Sequence, residues 1–204
     1  MTDQDRYGVF LRPDPRTALA VTTVTGAVRA TYGLVSSGAF PPHVTLAGSL
    51  PLAGPEAGLS AALDDALAGV RPFPVANAGV GRLGTAVVYD VHGLAGGPNP
   101  ALVELARRVD AAVRPLLDPD PTGQPADLYR PERWHGHLSL ASHELDARTD
   151  LGEEVHAFVR GLDVAVPASF TADTVIVYRF THPTWTGPWW QGMRWTHVRS
   201  WSLG

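Results

Sequence analysis

The chain has 204 residues, 45% of them apolar, with a formal charge of -4 and a pI near 6.0. That is enough chain for one substantial core or two small lobes, and its acidity argues against coating long nucleic acid through bulk electrostatics. It contains no Cys, and all 16 of its basic residues are Arg. Disulfides, thiolate nucleophiles, Cys-built zinc or iron-sulfur sites, Schiff-base lysines and the lysine of a phosphate-binding P-loop are therefore excluded. His, Asp, Glu and Tyr remain for acid-base work.

The N-terminus MTDQDRYG is polar and partly acidic, unlike a signal peptide, and no apolar run approaches the roughly 20 residues that span a bilayer. The expectation is a soluble, cytoplasmic, monomeric protein with no membrane partner. Along the chain, YGVFLRP reads as a strand that stops at Pro13. A helix follows, with Asp14 as cap, Pro15 in the first turn and Gly33 as the stop. HVTLAGSL alternates as a strand does, and PEAGLSAALDDALAGV places Leu59, Leu63 and Leu67 on one helical face.

The runs RPFPVANAGVGRL and TAVVYDVHG read as strands. GVGRLG within them matches a dinucleotide fingerprint on paper, but a β-like run follows it where a helix would have to begin, so that reading is rejected. NPALVELARRVDAAVRPLL is the strongest helix signal, capped by Asn99, with Leu102, Leu105, Ala106, Val109 and Val113 in one stripe. The segment 118–133, DPDPTGQPADLYRPER, reads as an unusually long loop. After it come strand WHGHLSLA, helix ARTDLGEEVHAFVRG, and strands in DVAVPASF, TVIVYRFTH and MRWTHVRSWSL.

The order strand, helix, strand, strand thus occurs twice, over about 36–95 and about 130–204. The expected fold is α+β over 1–204 as one bilobal domain: two similar lobes of antiparallel sheet with outer helices, internally duplicated, and an active-site groove between them. Each repeat opens on a related tetrad, His43-Val-Thr45-Leu and His137-Leu-Ser139-Leu. By composition about 0.2 occurrences of His, apolar, hydroxyl, apolar are expected among the eight His, and two are found in strands. In a strand, residues two apart share a face, so His43 lies beside Thr45 and His137 beside Ser139.

These tetrads, with the opening YGVFLRP and the Pro-rich approach YRPERWHGHLSL, resemble the signature of the two-histidine (2H) phosphoesterase superfamily. Within it the chain is most similar to the branch of RNA 2',3'-cyclic phosphodiesterases, also called 2'-5' RNA ligases. The resemblance implies a metal-free, cofactor-free cyclic phosphodiesterase of RNA processing. His43 and His137 would form its acid-base pair, and Thr45 and Ser139 would hold the phosphate of a nucleotide or RNA terminus. In that family the second motif often runs on into basic residues, whereas this chain has Ser142, His143 and Glu144. That favours a small cyclic nucleotide over a long RNA.

Several other residues carry weaker readings. Tyr129 and Arg130, entering the second motif, are candidates for base stacking and phosphate contact, against an ordinary surface role. Trp185, Trp189 and Trp190 fit a stacking platform or a cover over the core edge. Two alternatives stand beside the leading one. In the first, His135 and His137 are metal ligands of a hydrolase completed by His43 or Glu144; in the second, the groove binds a nucleotide without turnover.

Overall fold

The computed structural model describes residues 5–119 and 125–204. The elements run β1 (Arg6–Leu11), α1 (Pro15–Tyr32), β2 (Val44–Leu50), α2 (Glu56–Leu67), β3 (Phe73–Ala76), β4 (Val80–Leu83), β5 (Ala86–Asp90), β6 (Gly93–Leu94), β7 (Gly97–Pro98) and α3 (Pro100–Val113). They continue as β8 (His137–Ala141), α4 (Glu144–Ala147), α5 (Gly152–Gly161), β9 (Ser169–Ala172), β10 (Thr174–Thr181) and β11 (Arg194–Ser202). No helix among the described residues is long and apolar enough to cross a membrane.

Helix α1 starts where Asp14 accepts from the Thr17 amide at 2.7 Å and ends at Gly33, whose φ of 73° is readily adopted only by a residue without Cβ. The stripes read from the sequence are buried in α2 and α3, with every member at 6% exposure or less. Two expectations need correction, and one element was not anticipated. The helix expected over 147–161 is broken at Arg148, whose φ and ψ of -123° and 57° are not helical, so α4 and α5 are separate. The strand expected over 163–170 begins only at Ser169, because Pro167 has no amide to give a ladder. The 93–98 hairpin, turning through Ala95 and Gly96 with positive φ, is absent from the sequence reading.

The strands form an antiparallel sheet in the order β11-β10-β1-β2 and a second in the order β4-β5-β8, with β3 pairing β9 and β6 pairing β7. The two tetrad strands therefore lie in different sheets. Neither sheet is built from one of the spans 36–95 and 130–204: β2 shares its sheet with β10 and β11, and β8 shares its sheet with β4 and β5. GVGRLG forms β4 and its turn into β5, with no helix behind it. Helices α2 and α3 pack on the first sheet, α1 and α5 on the second.

Alternation divides the first sheet into two apolar layers. Val9, Leu11, Val175 and Val177 join the main core under the helices, while Phe10, Ile176, Tyr178 and Phe180 form a separate aromatic cluster on the other face. Such strands read as continuous apolar runs because both faces are covered.

The end of β8 is latched to the segment that joins α1 to β2. Glu144, just past β8, accepts from the amides of Val35 and Ser36 at 2.7 and 2.8 Å and from the Ser36 hydroxyl. Ser142 adds hydroxyl contacts to Ser36 and Ser37 at 3.1 and 3.0 Å. Burial pushes the Glu144 carboxyl up, but these donors outweigh it and hold the group below the usual carboxylate range. Truncation strands two amides at the start of a turn, so Glu144→Ala is expected to cost about 2 kcal/mol, read as a lower denaturant midpoint at unchanged m-value.

Candidate active site

His43 immediately precedes β2 and His137 opens β8. Val44, Leu46, Leu138 and Leu140 turn into the core with at most 1% exposure. The intervening His43, Thr45, His137 and Ser139 are left on the opposite faces, and all four line one cavity of about 300 Å³. Ser36, Ser37, Thr85 and Ser142 complete a hydroxyl-rich wall, with Asp127, Asp146 and His143 at its edges.

Each imidazole is aimed by its own chain. His43 Nδ1 lies 2.7 Å from the Pro41 carbonyl, and His137 Nδ1 lies 2.7 Å from the His135 carbonyl. A carbonyl only accepts, so both Nδ1 atoms carry the proton and donate it. In the neutral ring Nε2 is then the basic atom, in both residues alike.

The surroundings of the two rings differ. His43 stacks on Phe40 at 4.8 Å and 26° and lies tilted by 59° against Phe10 at 4.2 Å. This desolvation, reinforced by the charge of His137 and only partly offset by the bond to Pro41, lowers its pKa from 6.5 to about 4. His137 is also lowered by burial, but the carboxylates of Asp127 and Asp90 pull the other way. Both rings are thus depressed, and only His137 has carboxylates beside it that favour its charged form.

A second chamber of about 130 Å³ shares His43, Thr45, Asp127, His143 and Phe40 with the first. Its apolar walls are Phe10, Phe40, Phe180, Trp185, Trp189 and Met193. Gly8 makes room for one of them: a Cβ there would lie 2.1 Å from Phe10 Cζ, so the ring lies along β1 only over glycine. Trp185, 5% exposed, covers the aromatic cluster and walls the chamber at once, so both readings of the Trp segment apply to it. Trp190 does not line the chamber; it stacks on His143 at 5.2 Å.

The remaining candidates fall outside. Tyr129 packs on Trp134, whose indole N–H donates to the Thr45 carbonyl at 3.2 Å, and neither Tyr129 nor Arg130 lines either chamber. The groove residue of that segment is Asp127, which forms a reciprocal backbone pair with Gly48 at 2.7 and 2.8 Å. Residues 120–124 of the expected loop lie outside the described residues. His135 turns to Asp90, 2.9 Å away, and to His92, and lines a different, shallow cavity. His135 and His137 are thus not presented to a common ligand, and among the described residues no group of three or more His, Cys, Asp or Glu is placed to hold a metal ion.

Residues 12–183 match the family model of the 2'-5' RNA ligase superfamily. Among solved structures, TT0787 of Thermus thermophilus is 17% identical, with 97% of each chain covered and a TM-score of 0.57. E. coli LigT complexed with 3'-AMP is 15% identical, covering 98% of this chain and 99% of its own, with a TM-score of 0.53. At these identities the likeness carries the fold. No curated protein matches the sequence.

The His43 environment has a consequence for stability. The unfolded chain takes up this proton near 6.5 and the folded chain near 4, so between those values the unfolded state binds more protons and stability falls as pH drops. Denaturant midpoints should therefore fall from about pH 7 to about pH 5, and His43→Gln should lose that part of the slope.

Proposed function

The chain belongs to the 2'-5' RNA ligase superfamily, and from that premise we propose that it is a metal-independent phosphoesterase opening the 2',3'-cyclic phosphate of a nucleotide or RNA end. The observation that carries this reading is the matched aim of two imidazoles. Both have Nδ1 tied to a carbonyl two residues upstream, and both line one cavity with a hydroxyl beside each ring.

In the reaction, His43 Nε2 takes a proton from water as its oxygen attacks phosphorus. The bond from phosphorus to one ribose oxygen breaks on the opposite side, and His137 Nε2–H gives that oxygen its proton. The product is a ribose phosphate monoester, and proton exchange with solvent restores the pair. Thr45 and Ser139 donate to the non-bridging oxygens, offsetting charge that grows in the transition state. The proton acceptor is the ring desolvated by Phe10 and Phe40; the donor is the ring that faces Asp127 and Asp90. E. coli LigT is seen with 3'-AMP, a ribose phosphate monoester of the kind this reaction would leave.

Replacing either His by Ala is expected to lower kcat by at least about 100-fold while the unfolding transition is kept, and activity should survive a chelator. Near-normal turnover by either variant would overturn the assignment. The profile of kcat/KM against pH should be a bell whose acid limb, set by His43, lies near 4 and whose alkaline limb, set by His137, lies below 6.5. Since the Asp127 carboxylate favours protonated His137, Asp127→Asn should move the alkaline limb to lower pH.

A further inference from the structure

We propose that the aromatic chamber is the base subsite of this reaction, that it takes a pyrimidine in preference to a purine, and that Ser49 reads the base. The inference rests on the phosphoesterase reading above and specifies its substrate. It starts from size: an apolar cavity of about 150 Å³ holds one benzene ring, and this chamber measures about 130 Å³. The volume matches one six-membered ring laid against the wall that Phe10, Phe40, Phe180 and Trp185 form; the fused second ring of a purine needs that wall to give way.

The second observation is independent of size. Ser49 has a φ of 50°, the left-handed region that a residue with a side chain rarely adopts. It sits in a β-bulge, where Gly48 and Ser49 of β2 together oppose Gly8 alone on β1, between the pairs Tyr7–Leu50 and Val9–Ala47. The bulge aims Ser49 into the chamber it lines. Its hydroxyl is buried there with no hydrogen-bond partner among the described residues. A strained wall residue whose buried hydroxyl is unsatisfied is poised to meet a ligand atom by rotation about χ1.

The chemistry of that atom follows from the bases. Cytosine and uracil share one edge group, the C2 carbonyl, to which a hydroxyl donates whichever base is present; adenine has no counterpart. The chamber adjoins the phosphate cavity along His43 and Thr45, so a base seated in it leaves the ribose phosphate at the imidazoles.

The test compares cytidine, uridine, adenosine and guanosine 2',3'-cyclic phosphates as substrates, and the corresponding 3'-monophosphates as ligands followed by quenching of tryptophan fluorescence. Wild type should favour both pyrimidines by about 10-fold or more in kcat/KM and in Kd, since one missed hydrogen bond or one misfit ring is worth that much. Ser49→Ala, which keeps the strain, and Ser49→Gly, which relieves it, should both lose about 10-fold in KM for pyrimidines with kcat kept, and Ser49→Thr should restore it. Equal or better use of purines by wild type, or Ser49 variants with unchanged KM, would overturn the inference and leave the imidazole pair standing. Pyrimidine monophosphates bound selectively without any cyclic phosphate opened would leave the subsite standing and overturn the chemistry.

Discussion

Two short hydrogen bonds govern this molecule: each groove imidazole donates its Nδ1 proton to the carbonyl two residues before it, at 2.7 Å in both tetrads. The bond is local, closed within the turn of chain that leads into the strand. It needs only an extended approach, which Pro41 and Pro42 impose on the first motif by fixing φ. Its effect is to settle which nitrogen faces the cavity. A ring free to flip would offer a donor or an acceptor at random, whereas a ring so tied always presents Nε2.

That local device is effective only if the two strands face each other, and nothing within either strand ensures it. β2 and β8 lie in different sheets, so their apposition depends on contacts between sheets. Glu144 and Ser142 grip the 35–37 segment, Asp127 pairs with Gly48, and Trp134 reaches the Thr45 carbonyl. In the sequence, Ser142, His143 and Glu144 stand out as a departure from a basic continuation of the second motif. In the fold they are largely mechanical: Glu144 is the latch, and His143 is held against Trp189 and Trp190 at 5.0 and 5.2 Å.

The same motif in two environments gives two chemical characters. Aromatic rings take water away from His43, whereas His137 keeps carboxylates within reach of its charge. The asymmetry originates in the first sheet, whose β1 and β10 are apolar on both faces. One face builds the core under the helices, and the other, freed by Gly8 to carry Phe10 along the strand, builds the chamber beside His43.

Much of what depends on near neighbours in the chain was legible in the order of residues, the break at Arg148 and the 93–98 hairpin excepted. The helices with their caps and buried stripes, the alternation of β2 and β8, and the pairing of His43 with Thr45 and of His137 with Ser139 all follow from periods of 3.6 and 2, which a strand or helix cannot escape. The rest waited on the folded chain, because it turns on distances between residues far apart in number. Examples are the exchange of strands between the two halves, the choice of Asp127 over Tyr129 and Arg130 as the groove residue, the turn of His135 toward Asp90, and the bulge that aims Ser49. A carboxylate or hydroxyl in a loop or strand carries no local mark of the cavity it will line; that is fixed only when sheets built from both halves of the chain close around it.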